Sequence, residues 1–152
     1  MTENKKIKNA TAVQDGTLQF KSKLEHTAYK TLLEFGITPQ YEQNTFVLWE
    51  GFKPTVPFWT RDKNKRLAQK QTKLISITYT PDFVFDYNGF HVILEIKGFQ
   101  NDVFGLKFKM FRKYVESLPD KNRYVLAEIF TKTQLIEFIN ILKFSNRENP
   151  EE

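Results

Sequence analysis

The chain has no cysteine, which excludes disulfides and thiolate metal sites and is compatible with a reducing compartment. No apolar run approaches the length of a membrane span, and the opening MTENKKIKNA lacks the apolar core of a signal segment. The expectation is therefore a cytoplasmic protein with no membrane partner. There is no internal repeat. Histidine occurs twice, as His26 and His91, and neither is placed where a mechanism would use it. What remains is a chain of 152 residues, 40% hydrophobic and 27% charged, enough for one soluble domain with a sizeable core. Its net charge of +5 favours a polyanionic partner. Residues 1–16 and 145–152 are polar and expected to be flexible, leaving 17–144 as the folded unit, with a basic connection over 51–73.

The most informative stretch is YTPDFVFDYNGFHVILEIKGF, from Tyr79 to Phe99. Asn88-Gly89 signals a two-residue type I′ turn, because both positions need positive φ. Residues whose numbers add to 177 then face each other, which sets Asp82 opposite Glu95. Side chains alternate along a strand, so Lys97 shares the face of Glu95, while Phe83, Phe85, Val92, Leu94 and Ile96 line the other face as core. Carboxylates opposed across a strand pair repel. A divalent cation would turn that repulsion into binding, since Mg²⁺ takes one or two carboxylates plus phosphate oxygens. Mn²⁺ is expected to substitute, and no small-molecule cofactor is expected. Lys97 could stabilise developing negative charge or help to activate a water. The bland alternative is that Asp82 caps a strand start and Lys97 neutralises Glu95 as a surface pair.

Around this hairpin the pattern reads helix, strand, long basic connection, strand, strand, helix, strand, helix. Leu24, Ala28, Leu32 and Phe35 follow helical spacing with Gly36 as C-cap, and Gln19 to Glu25 opens that helix. A strand is expected from about Gln40 to Trp49. A second helix carries Phe104, Phe108, Phe111, Val115 and Leu118 and stops before Pro119. Arg123 to Phe130 reads as a strand, and Leu135 to Leu142 as a last helix. Strand, helix and strand from Val92 to Phe130 can form a parallel crossover.

Pro81-Asp82, followed after a hairpin by Glu95-Ile96-Lys97, resembles the signature of the PD-(D/E)XK nuclease superfamily. The resemblance implies an α/β, restriction-endonuclease-like αβββαβ core, with a four-stranded mixed sheet flanked by helices. It also implies a metal-dependent phosphodiesterase site. Three patches are similar to the phage endonuclease I family of Holliday-junction resolvases: Phe20-Lys21-Ser22 with Leu24-Glu25, Tyr79-Thr80-Pro81-Asp82-Phe83, and Glu95-Ile96-Lys97-Gly98. On that resemblance Asp82 and Glu95 hold the metal, with the Ile96 carbonyl as an extra ligand. Lys97 orients or deprotonates the water, and Glu25 adds a third carboxylate from the first helix. As an ordinary helix residue Glu25 would instead balance Lys21 on the solvated face. The implied substrate is branched DNA, cut by a homodimer in a phage-infected host cytoplasm or in the virion. The rivals are a nuclease of the same core acting on linear DNA, and a catalytically idle nucleic-acid-binding component.

Arg61 to Lys73, RDKNKRLAQKQTK, holds six basic residues and one acid. Arg61, Lys63, Lys65, Arg66 and Lys70 could contact several phosphates, and affinity would then fall steeply with salt. The alternative is a solvated loop or short surface helix. Lys107 and Lys109 of the second helix could hold a phosphate near the site or form a solvated face. Trp49, Phe52, Phe58 and Trp59 could stack on unpaired bases, bury against the domain, or form a subunit contact.

Overall fold

The computed structural model describes residues 11–98 and 102–145. Residues 1–10 and 146–152 of the two expected flexible ends lie outside the described residues. Among the described residues no helix is long and apolar enough to cross a membrane.

The Asn88-Gly89 turn forms as its chemistry demands, with φ of 46° and 76°. It joins β8 (Phe83–Tyr87) to β9 (Phe90–Ile96), which pair antiparallel from Tyr87 opposite Phe90 to Phe83 opposite Leu94. Every one of those pairs adds to 177. On one side β9 pairs in parallel with β10 (Tyr124–Ile129), and on the other β8 pairs antiparallel with the two-residue β3 (Gln40–Tyr41). The result is a four-stranded mixed sheet of order β10-β9-β8-β3.

Three helices cover it. Helix α1 (Lys23–Glu34) starts at Ser22, whose hydroxyl accepts from the Glu25 N–H. It ends as a Schellman motif: Gly36, at φ 75°, donates to Leu33 O, and Ile37 donates to Leu32 O. Helix α3 (Lys132–Phe144) packs beside α1. Together their Ala28, Leu32, Leu135 and Ile139 bury Phe83, Phe85, Val92 and Leu94. Helix α2 (Asp102–Glu116) makes the crossover from β9 to β10 and lies on the opposite face. There Phe111 and Val115 pack on Val84 and Ile93. The face that carries the acids is thus half core, because α2 roofs its middle.

Four departures from the expected layout have local causes. Lys23 rather than Gln19 begins the helix, because Leu18–Phe20 forms a strand (β2) paired with β1 (Val13–Asp15) around Gly16, at φ 58°. Folded structure therefore begins before residue 17. The expected strand from Gln40 to Trp49 is broken at Glu42, which takes φ 50°. Its second part, β4 (Phe46–Trp49), pairs with β7 (Ile77–Tyr79) in a separate sheet. The basic connection is neither loop nor helix. It is a hairpin of β5 (Trp59–Arg61) and β6 (Leu67–Gln69), joined to β4 and β7 through a bridge between Phe52 and Leu74. Gly51 lies at that root, where a Cβ would collide with the Leu74 carbonyl oxygen and the Ser76 nitrogen.

Candidate active site

At the end of β8–β9 away from the turn, the chain brings four of the expected residues together. Glu25 from α1 is 1% exposed, Asp82 9% and Lys97 5%, while Glu95 is partly buried. Groups so far from water are ordinarily apolar or paired. Asp82 lies one residue before the ladder, and its Oδ2 accepts from the Ile96 N–H at 2.7 Å. The link of Ile96 to the site that the structure records is this N–H. Glu95 accepts from the Tyr79 hydroxyl at 2.6 Å. Lys97 places its ammonium 2.7 Å from the centre of the Phe104 ring, in the first turn of α2.

Glu25 is not a solvated partner of Lys21. Its carboxylate accepts from Ser22 Oγ at 2.8 Å and from the Tyr41 hydroxyl at 3.2 Å. Lys21 instead forms an ion pair with Glu42. Glu42 is a site residue that sequence reasoning missed. Its backbone N–H donates to the Asp82 carbonyl at 3.0 Å. Glu25, Glu42 and Asp82 each offer an oxygen, and these lie within 4.8 Å of one another. Tyr79 and Tyr41 were also missed, although Tyr79 stands three residues before Asp82.

Burial dominates the electrostatics. Desolvation, then the charges of Glu95 and Glu25, push Asp82 well above the ordinary carboxylate range. Glu95 rises from 4.5 to about 7, chiefly by desolvation, against the lowering effects of Tyr79 and Lys97. Glu25 rises for the same first reason. Desolvation pulls Lys97 down, opposed by Glu95, Glu128 and Asp82. Glu128 enters because β10 sets it beside Glu95 in register. Carboxylates that repel and resist ionisation gain from a bound cation. An all-carboxylate donor set suits a hard cation rather than a soft one. Imidazole does not contribute: His26 pairs with Asp15 and His91 with Asp86.

No protein-family model, curated protein or solved structure matches the chain. The site stands on its own geometry.

The basic residues divide differently. Arg61, Lys63, Lys65, Arg66 and Lys70 are exposed on the separate β5–β6 hairpin. Lys109 is exposed on α2 and Lys107 half-buried. A cavity of about 590 Å³ opens between α2 and β10, lined by Arg112, Lys121 and Glu128 among others. Its Glu128 is the register neighbour of Glu95.

Proposed function

We propose that the protein is a metal-dependent DNA endonuclease with a restriction-endonuclease-like core, acting on branched DNA such as a Holliday junction. The observation that carries this reading is the convergence of buried Glu25, Asp82 and Lys97 with half-buried Glu95 at one end of one hairpin. A purely structural site would have no use for like charges that raise one another's pKa. The order α1, β3, β8, β9, α2, β10 supports the αβββαβ core. Resemblance of the motif supplies the reaction class.

Asp82 and Glu95 would hold Mg²⁺ or Mn²⁺, with Glu25 and Glu42 completing the carboxylate set. When bound, the ion would polarise the scissile phosphate and offset charge on the leaving oxygen. The chain's own groups do the rest. Ile96 N–H fixes Asp82, Tyr79 fixes Glu95, and Phe104 holds Lys97 by its ring face. Desolvation raises the neutral fraction of Lys97, so its amine can take a proton from the attacking water. The water oxygen then bonds to phosphorus, the phosphorus–oxygen ester bond breaks, and solvent protonates the leaving oxygen. Resolving a junction takes two opposed nicks, so a homodimer with one site per subunit is the simplest assembly.

The test sets supercoiled plasmid and linear duplex beside a synthetic four-way junction, each with and without Mg²⁺, using wild type and Glu95→Gln. Expected is metal-dependent nicking of the junction in preference to the linear duplex, absent in Glu95→Gln. Equal cutting of junction and linear DNA would transfer the protein to general DNA degradation. No cutting in any arm would leave a binding component.

A further inference from the structure

No residue of the β5–β6 hairpin is fully buried: Thr60 and Ala68 are half-buried, and Trp59, Arg61, Leu67 and Gln69 are exposed. Trp59 pairs with Gln69, Thr60 with Ala68, and Arg61 with Leu67. The Lys70 N–H donates to the Phe58 carbonyl at 2.9 Å, which carries the same register one pair further. Alternation then puts Trp59 and Arg61 on one face, and Phe58 and Lys70 on the other. Both rings are in water: Trp59 is 56% exposed and Phe58 59%. The hairpin's main contacts are between its own two strands, and a lone two-stranded hairpin is marginal without a partner.

Its charge is equally unspent. The one acid, Asp62, folds into the turn, where its carboxylate accepts from the N–H groups of Asn64 and Arg66 at 2.8 and 2.9 Å. None of Arg61, Lys63, Lys65, Arg66, Lys70 and Lys73 forms an ion pair among the described residues. With six basic residues and one acid, Arg61 to Lys73 carries +5, the net charge of the whole chain. The rest of the protein is therefore neutral overall.

From this pairing of open ring faces with open cations we propose that the β5–β6 hairpin is a platform for unpaired nucleic-acid bases. Trp59 stacks on a base while Arg61 meets the adjoining phosphate, and Phe58 with Lys70 repeats the arrangement on the reverse face. This deepens the reading above and rests on it for the choice of DNA as the polymer. Single strands offer both π-faces and phosphates, which is the chemistry of stacking platforms in basic grooves. A regular duplex offers its phosphates, but its ring faces are closed in the base stack. A second copy of the hairpin would bring like charge against like. The structure therefore favours DNA with bases open at or beside a branch.

The experiment titrates the full chain in EDTA with an oligothymidylate of about twelve nucleotides and, separately, with a duplex of equal length, reading anisotropy and tryptophan fluorescence. Wild type should bind the oligothymidylate with quenching. Trp59→Ala should weaken that affinity about tenfold and leave duplex affinity within twofold, and Trp59→Phe should restore most of the loss. Trp59 is exposed, so these variants keep the core intact. Equal losses on both DNAs, or none on the oligothymidylate, would overturn the proposal. So would self-association of wild type that Trp59→Ala abolishes, which would assign the rings to a second copy. Cleavage is scored separately in Mg²⁺, so quenching without cleavage sinks only the nuclease reading, and cleavage without quenching sinks only the platform.

Discussion

The Asp82 carboxylate and the Ile96 backbone N–H meet at 2.7 Å across the β8–β9 hairpin, one step beyond the last ladder pair. A side chain here takes the place of a strand. The bond fixes the carboxylate next to Glu25 and Glu42 and satisfies an amide that burial would otherwise strand.

Two substitutions separate these roles. Asp82→Asn keeps an acceptor for Ile96 and removes charge from a crowded carboxylate group, so its stability should equal or exceed wild type. Asp82→Ala leaves the N–H unpaired in a buried place and should cost about 1–3 kcal/mol in urea unfolding. Both should lose Mg²⁺-dependent cleavage. Equal stability of the two variants would show that the bond has no structural weight.

Stability should fall as pH rises in the absence of divalent ions. Burial raises Glu95 from 4.5 to about 7 on folding, so the folded state binds the extra proton. The associated stabilisation is complete below about pH 4.5 and lost as pH climbs through about 7, on the order of 3 kcal/mol. Asp82 and Glu25 are raised too and add slope of the same sign. Lys97, lowered from 10.5, gives the opposite slope between its folded value and 10.5. Thermal melts in EDTA should therefore show a lower midpoint at pH 7.5 than at pH 5. Mg²⁺ should raise the midpoint more at the higher pH, where the carboxylates are ionised. Glu95→Gln should flatten the EDTA profile.

Glu42→Gln tests the residue that sequence reasoning did not single out. It removes one carboxylate from the three-acid group and frees Lys21. Mn²⁺ affinity by calorimetry should drop about tenfold, within the range seen when a supporting group of a metal site is lost. Unchanged affinity would confine Glu42 to its ion pair with Lys21.

The hairpin was legible because one dipeptide dictates its turn. Asn88-Gly89 sets the register, and the register sets Asp82, Glu95 and Lys97 on one side. Helix α1 was legible in its stripe, and its start was legible in a signal that the apolar spacing passes over. Ser22 and Glu25 have capping-box spacing, a sign that the helix begins at Lys23 and that the Glu25 side chain turns back. Gly16 marks the N-terminal turn and was equally readable. Glu42 was not, since a glutamate at positive φ has no local sequence signal. Nor was the β5–β6 hairpin, whose turn is held by the Asp62 carboxylate and places Lys65 at φ 63° without a glycine. Tertiary contact decided the first, and a local side-chain-to-backbone turn the second.

The cations at the tip of the basic hairpin should act on DNA binding and not on folding or metal affinity. Lys63, Lys65 and Arg66 lie at its exposed tip, in a sheet separate from the one that carries Glu95. Replacing all three by glutamine should leave folding and Mn²⁺ affinity intact, because none of them touches the core. DNA affinity should fall, and the log–log dependence on salt should flatten by up to about 0.9 for each duplex phosphate that is no longer neutralised. At saturating DNA the cleavage rate should persist, since the proposed chemistry is assigned to Asp82, Glu95 and Lys97. Anisotropy titrations at several salt concentrations give the slope, and single-turnover cleavage gives the rate. A slope equal to wild type would mean that these cations face only solvent, and that phosphates are held from α2, where Lys109 and Arg112 are the exposed candidates.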